Sequence, residues 1–134
     1  MKCLLDTNIL ISAALFPNSV PAIAFAKAVI SPYNAVICEY SIQEFKKVID
    51  VKFAHKRKVF EKFVSEISMS IEFVPTPVSE YESEQKIRDK NDRPILRAAI
   101  FHKIDIIITG DKDFLEAGIS NPKIVTPSQF LELY

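Results

Sequence analysis

The sequence predicts an α/β domain in which a parallel sheet carries helices on both faces. Three observations lead there. Short apolar runs rich in β-branched residues recur at positions 2–5, 35–38, 71–74, 106–109 and 123–125, as strands covered on both faces do. Longer stretches of helical character alternate with them, the pattern of strand–helix–strand units. A chain of 134 residues, 49% of them hydrophobic, is long enough for one domain with a core of its own, without help from disulfides or metals.

Each element has a local reason. The first run, Lys2-Cys3-Leu4-Leu5, ends on Asp6, and positions 8–16 are helical in character until Pro17-Asn18-Ser19 turns the chain. Pro21 suits the first turn of a helix, and an alanine-rich stretch follows at 22–30. Ser31-Pro32-Tyr33-Asn34 breaks that helix before the second strand at 35–38. Ser41-Ile42-Gln43-Glu44 has the spacing of a capping box and is expected to open the next helix. A basic helix at 55–68 and a strand at 71–74 follow, the latter stopped by Pro75 and Pro77. Asp92-Arg93-Pro94 opens a helix over 95–103, and the strand at 106–109 comes next. After the last strand at 123–125, Thr126 and Pro127 supply an N-cap and a first helical residue.

Composition removes several classes of function. With only two glycines, Gly110 and Gly118, neither a dinucleotide-binding GxGxxG loop nor a Walker A loop can be built. The cysteines, Cys3 and Cys38, lie inside apolar runs and read as buried thiols of a reducing compartment. Asp6 and Asn8 interrupt the first apolar run before it reaches signal-peptide length, and no run approaches the roughly 18 apolar residues of a membrane span. The expectation is a cytoplasmic protein with no membrane partner. Formal charge is zero, yet positions 46–62 hold Lys46, Lys47, Lys52, Lys56, Arg57, Lys58 and Lys62 against Asp50 and Glu61. Such a ridge suits either a solvated helical face or a phosphate backbone.

The candidate site is acidic. Asp6, Glu44, Asp92 and Asp111 sit at the ends of four separate segments. A carboxylate just beyond a strand's carboxyl end projects into the crevice where open α/β sheets bind ligands. Carboxylates converging there repel one another unless a hard cation neutralises them, and oxygen-only sets suit Mg²⁺ or Mn²⁺. Each residue also has a purely structural role open to it. Asp6 and Asp92 suit helix N-caps, Glu44 suits the capping box, and one of Asp111 and Asp113 suits the cap of a short helix. Their joint placement at segment ends is what favours a site. The histidines and serines offer no nucleophilic triad: His55 lies in the basic segment, His102 near a helix end, and no serine has a nucleophile-elbow setting.

Four segments together resemble the PIN domain, the fold of VapC-like toxin ribonucleases. They are Leu4-Leu5-Asp6-Thr7-Asn8-Ile9-Leu10, Ser41-Ile42-Gln43-Glu44-Phe45, Asp92-Arg93-Pro94-Ile95-Leu96 and Thr109-Gly110-Asp111-Lys112-Asp113-Phe114. The resemblance implies a three-layer α/β/α sandwich formed by the whole chain, positions 1–134. It implies a quartet of Asp6, Glu44, Asp92 and Asp111 that binds Mg²⁺ or Mn²⁺ and hydrolyses RNA, with Asp113 as an auxiliary acid. Asn8 and Thr109 match the small polar supporting positions. Lys46, Lys47 and Arg57 from the basic ridge, with Arg93, are expected to hold substrate. Arg93 is a departure, because many relatives carry another acid there. The resemblance also implies products with 5′-phosphate and 3′-hydroxyl ends, a homodimer, and an antitoxin protein that blocks the site.

Rival readings stand on particular residues. A receiver-like module needs paired acids after the first strand and an acceptor aspartate after the third. Thr7-Asn8 and Pro75-Thr76-Pro77 occupy those places. A haloacid-dehalogenase-type phosphatase needs Asp-x-Asp where Asp6-Thr7-Asn8 stands. The remaining alternative is a PIN-like binding module with weak or no chemistry.

Overall fold

The structure is a computed structural model covering residues 1–134. In chain order its elements are β1 (Lys2–Leu5), α1 (Thr7–Leu15), α2 (Val20–Ala28), β2 (Asn34–Cys38), α3 (Glu39–Lys52), α4 (Arg57–Ile67), β3 (Glu72–Val74), α5 (Arg93–Phe101), β4 (Ile106–Ile108), α6 (Lys112–Leu115), β5 (Lys123–Val125) and α7 (Pro127–Leu133). Two 3₁₀ turns, Ala54–Lys56 and Glu82–Lys86, complete it. The five strands lie in the order β3-β2-β1-β4-β5, and every neighbouring pair is parallel.

Alternation along the strands divides the core into two layers. Cys3, Leu5, Ala35, Ile37, Ile106, Ile108 and Val125 face one side, together with Ile9, Leu10, Ala24, Phe25, Phe45, Phe60 and Phe130 from helices. Leu4, Val36, Cys38, Val74 and Ile107 face the other, against Ile95, Leu96, Ala98 and Ala99 of α5 and Phe114 of α6. The three-layer α/β/α sandwich expected from the sequence is therefore present, with helices unevenly shared between its faces. The first face is the more aromatic: Phe45 meets Phe60 edge-on at 5.5 Å between centroids, and Tyr33 meets Phe130 at 5.2 Å. Both cysteines are buried and unpaired, as their apolar settings predicted. No single helix is long and apolar enough to cross a membrane.

Most element starts follow the local signals. Ser19 caps α2 by accepting from the Ala22 N–H at 3.3 Å. Thr126 caps α7 by accepting from the Gln129 N–H, while Gln129 accepts in return from the Thr126 N–H. The capping box expected at Ser41 and Glu44 does not form. Helix α3 begins three residues earlier, at Glu39, with Cys38 rather than Ser41 at its cap and no side-chain cap bond. Ser41 is fully buried instead, its hydroxyl 3.4 Å from the Cys38 sulfur, because the helix follows β2 without an intervening loop. Glu44 is thereby left without a capping duty.

Strand order fixes where a ligand can approach. Successive strands β1, β2 and β3 step one way from the centre, whereas β4 and β5 lie on the other side of β1. The reversal between β1 and β4 opens a crevice at their carboxyl ends, the general ligand position in such sheets.

Candidate active site

Asp6 occupies that crevice. It is the single residue between β1 and α1, and its own N–H donates to the Ile108 carbonyl of β4 at 3.3 Å. Its side chain is 5% exposed. One carboxylate oxygen caps α1, accepting from the Asn8 N–H at 2.6 Å, and the other accepts from the Thr109 hydroxyl. The cap and the site are thus compatible roles for Asp6. Burial pushes its pKa up; the bonds from Thr109 and Asn8 oppose this, and the charges of Asp111 and Glu44 reinforce it.

Thr109 links two acids. Fully buried at the end of β4, it donates to Asp6 and accepts from the Asp111 N–H at 3.0 Å. Asp111 in turn caps α6, accepting from the Asp113 N–H at 2.8 Å. Thr7 braces the opposite wall, its hydroxyl donating to the Ser41 carbonyl of α3 at 3.4 Å. These contacts hold the first turns of α1 and α3 together, with Glu44 on the latter helix. The Asn8 side chain stays exposed, so its contribution here comes from its backbone.

Asp92 stands at the N-cap position of α5 yet makes no cap bond. Its Oδ2 is buried and has no hydrogen-bond partner. Its pKa is pushed up to about 8, first by burial, then by the Asp111 carboxylate beside it, with Asp89 and Asp6 adding to the effect. Asp92 is therefore where the acids meet: Asp111, Asp89 and Asp6 all act on it. One oxygen each from Asp89, Asp92 and Asp113 lies within 4.8 Å of the others.

Asp89 was not singled out by the sequence reading. The available signal was its spacing, three positions before Asp92 in Asp89-Lys90-Asn91-Asp92. There the Asp92 N–H bonds back to the Asp89 carbonyl at 3.1 Å. Asp113 is not free of partners. Arg88 grips both its oxygens, at 3.0 and 3.2 Å, from a side chain that is itself 86% exposed.

The four expected substrate-binding cations separate. Lys47 lines a pocket beside Glu44, whereas Lys46 and Arg57 line a groove of about 370 Å³ between α3 and α4. Arg57 is paired there with Asp50 at 2.9 Å. Arg93 points its Nε at the Ile87 carbonyl, 3.0 Å away, and so tethers the segment preceding α5.

A partnerless buried carboxylate oxygen among other carboxylates fits a divalent cation. An octahedral Mg²⁺ shell has bonds of about 2.1 Å, which set its oxygens roughly 3 to 4 Å apart. The Asp89, Asp92 and Asp113 oxygens, within 4.8 Å of one another, lie close to that spacing. Fold and crevice together define an α/β/α protein with a polyacidic pocket at the topological switch of a parallel sheet.

Comparison with known proteins places the chain within that class. The sequence profile of the PIN domain matches residues 2–113, and the chain belongs to this family. Over 98% of its length it is 27% identical to uncharacterized protein MJ1680 of Methanocaldococcus jannaschii, covering 90% of that relative. Solved structures that share its fold include the following three chains. One is from VapBC2 of Rickettsia felis bound to a DNA fragment from their promoter, with TM-score 0.67, 16% identity, and 93% and 97% of the two chains covered. Another is from FitAcB of Neisseria gonorrhoeae, with TM-score 0.63, 19% identity and coverages of 94% and 98%. The third is VapC20 of Mycobacterium tuberculosis, a sarcin-ricin loop cleaving toxin, with TM-score 0.60, 14% identity and coverages of 87% and 95%.

Proposed function

We propose that the protein is a Mg²⁺- or Mn²⁺-dependent ribonuclease, acting in the cytoplasm as the toxin of a toxin–antitoxin pair. The observation that carries this reading is the buried, partnerless Oδ2 of Asp92 amid neighbouring carboxylates. A protein with only structural use for Asp92 would spend that oxygen on the cap of α5. Membership of the PIN family and the toxin VapC20 among its structural relatives support the choice of RNA.

Asp6, Asp92 and Asp111 are the proposed ligands, with Asp89 and Asp113 completing the acidic wall. The cation, when bound, supplies positive charge to a phosphate oxygen and makes water a stronger nucleophile near neutral pH. The chain's own contribution is positional. Thr109 and the Asn8 N–H fix both oxygens of Asp6, so its carboxylate keeps one orientation. In this reading Glu44, which has no capping duty, accepts a proton from the attacking water or serves as a further ligand. Lys47, one turn along α3 and lining the same pocket, holds an adjacent phosphate.

The two-protein assemblies VapBC2 and FitAcB support a protein partner, and the proposal includes an antitoxin that covers the acidic pocket. A homodimer is also proposed, since the α1–α2 corner exposes Phe16, Val20 and Ile23 to solvent. The test is cleavage of pooled cellular RNA with Mn²⁺ or Mg²⁺, beside Asp92→Asn and an EDTA control. Metal-dependent cleavage that Asp92→Asn loses is the expected result. Folded, metal-loaded protein that cuts no RNA would identify an inert PIN-like binding module instead.

A further inference from the structure

Helix α3 carries a largely polar stripe beside its buried face, in which Tyr40 alone is hydrophobic and packs in part against the core. Tyr40, Gln43, Glu44 and Lys47 follow the i, i+3, i+4, i+7 spacing that aligns side chains on one helix face. The buried positions of α3 are Ser41, Phe45 and Ile49, on a different face. The stripe is polar where a packing face would be apolar. Opposite it stands Asn91, and these five residues line an open pocket of about 340 Å³. The pocket adjoins the acids directly, because Glu44 lines it and Asn91 immediately precedes Asp92. The Tyr40 N–H donates to the Thr76 hydroxyl oxygen at 3.1 Å, which anchors the first turn and the half-buried ring on it.

The side chains available suit one kind of ligand. A carboxamide presents donors and an acceptor in a single plane, which matches the edge of a nucleobase. Gln43 and Asn91 supply two such groups, both exposed. An aromatic ring supplies a face on which any base stacks, and sequence-specific recognition of RNA targets unstacked bases in this manner. An ammonium supplies a phosphate contact. An amphipathic peptide helix would need an apolar floor, and Tyr40 is the pocket's one hydrophobic residue.

We infer that this pocket is a subsite for one unstacked nucleobase of single-stranded RNA, next to the phosphate held at the acids. Tyr40 takes the face of the base, Gln43 and Asn91 its edge, and Lys47 the neighbouring phosphate. The inference rests on the ribonuclease reading and adds to it the residues that set base preference.

The experiment sequences the product ends from a random-sequence single-stranded RNA pool cut with Mn²⁺. It compares wild type, Tyr40→Ala, Tyr40→Phe, Gln43→Ala and Asn91→Ala, with folding checked by thermal melting. Anisotropy of seven-nucleotide RNAs measures binding alongside. Wild type is expected to prefer one base beside the cut. Gln43→Ala and Asn91→Ala flatten that preference, and Tyr40→Ala weakens binding at least about fivefold while Tyr40→Phe does not. Cleavage whose end preference and affinity are the same in all five proteins overturns the subsite and leaves the ribonuclease reading standing. Absence of any metal-dependent cleavage by wild type overturns both.

Discussion

Glu84 and Asp92 are carboxylates withdrawn from water around the same helix, α5, and the chain treats them in opposite ways. Glu84, 2% exposed, is fully answered from within. Arg97 reaches it from α5 at 2.9 Å, and the Tyr81 N–H donates to its other oxygen. Arg97 also donates to the Pro77 carbonyl at 3.1 Å and pairs with Glu80 at 3.5 Å. The result is a latch that fastens the segment after β3 onto the back of α5. Asp92, at the front of the same helix, lies among Asp111, Asp89 and Asp6 and keeps an oxygen with no partner. A buried charge satisfied by the chain belongs to the fold. One left for something outside the chain belongs to a site.

Substitution should separate the two roles most widely. Asp92→Asn is expected to lower metal-dependent RNA cleavage at least about 100-fold, since even the partners that merely orient metal ligands matter tenfold to hundredfold. Its urea-unfolding midpoint should hold or rise, because the amide is neutral without the proton that native Asp92 must take up. Glu84→Ala should do the reverse. Removing one partner of a buried pair strands the other, at a cost of about 3 kcal/mol, read as a lower urea midpoint. The protein that stays folded should cleave nearly normally. If Asp92→Asn proved the more destabilising of the two, the distinction between fold and site would collapse.

Thr109 tests the boundary between these regions, being both core and site. Thr109→Val keeps the shape but strands an Asp6 oxygen and the Asp111 N–H. The expected loss of stability is about 1–3 kcal/mol. Isothermal titration should show Mn²⁺ binding weakened by about tenfold. Stability loss with unchanged Mn²⁺ affinity would assign Thr109 to the fold alone.

The comparison also has a pH signature. Asp92 is raised from its ordinary value of 3.8 to about 8, so between those limits the native state holds a proton that the unfolded chain releases. Stability therefore falls as pH rises across this window. The contribution is complete below 3.8 and is lost on passing through about 8. Urea melts of metal-free protein at pH 5.5 to 8.5 should show this decline, and Asp92→Asn should flatten it. Mn²⁺ competes with that proton, so its affinity should increase over the same range, with proton release on binding.

The fold was legible because strand signals and turn residues agreed along most of the chain. Its acids were legible because Asp6, Asp92 and Asp111 fall at element ends that the apolar runs mark out. Other features depend on contacts between distant positions. Glu84 lies in the charged stretch Glu80-Tyr81-Glu82-Ser83-Glu84, which reads as a solvated loop. It is buried because Arg97 reaches it from a helix that starts beyond the loop. The Ser41–Glu44 spacing misled for a related reason: β2 runs straight into α3, so the helix starts before its apparent cap. Asp89 and Asp113 meet only through the fold, on either side of the sequence that carries α5 and β4.

Smallest in effect is the division among the cations. Lys47 lies beside Glu44, while Lys46 and Arg57 line the groove between α3 and α4. A lysine that touches a substrate phosphate releases a counterion, so its removal lowers the salt dependence of RNA binding by about one unit of slope. Lys47→Ala should show that drop in a plot of log affinity against log salt, across RNA sequences alike. Lys46→Ala should leave the slope unchanged, because Asp50 and Glu61 are two of the four charged residues lining its groove and offset its cations. Equal drops from both would mean that RNA lies along the whole basic ridge, and the acidic crevice would then be one end of a longer track.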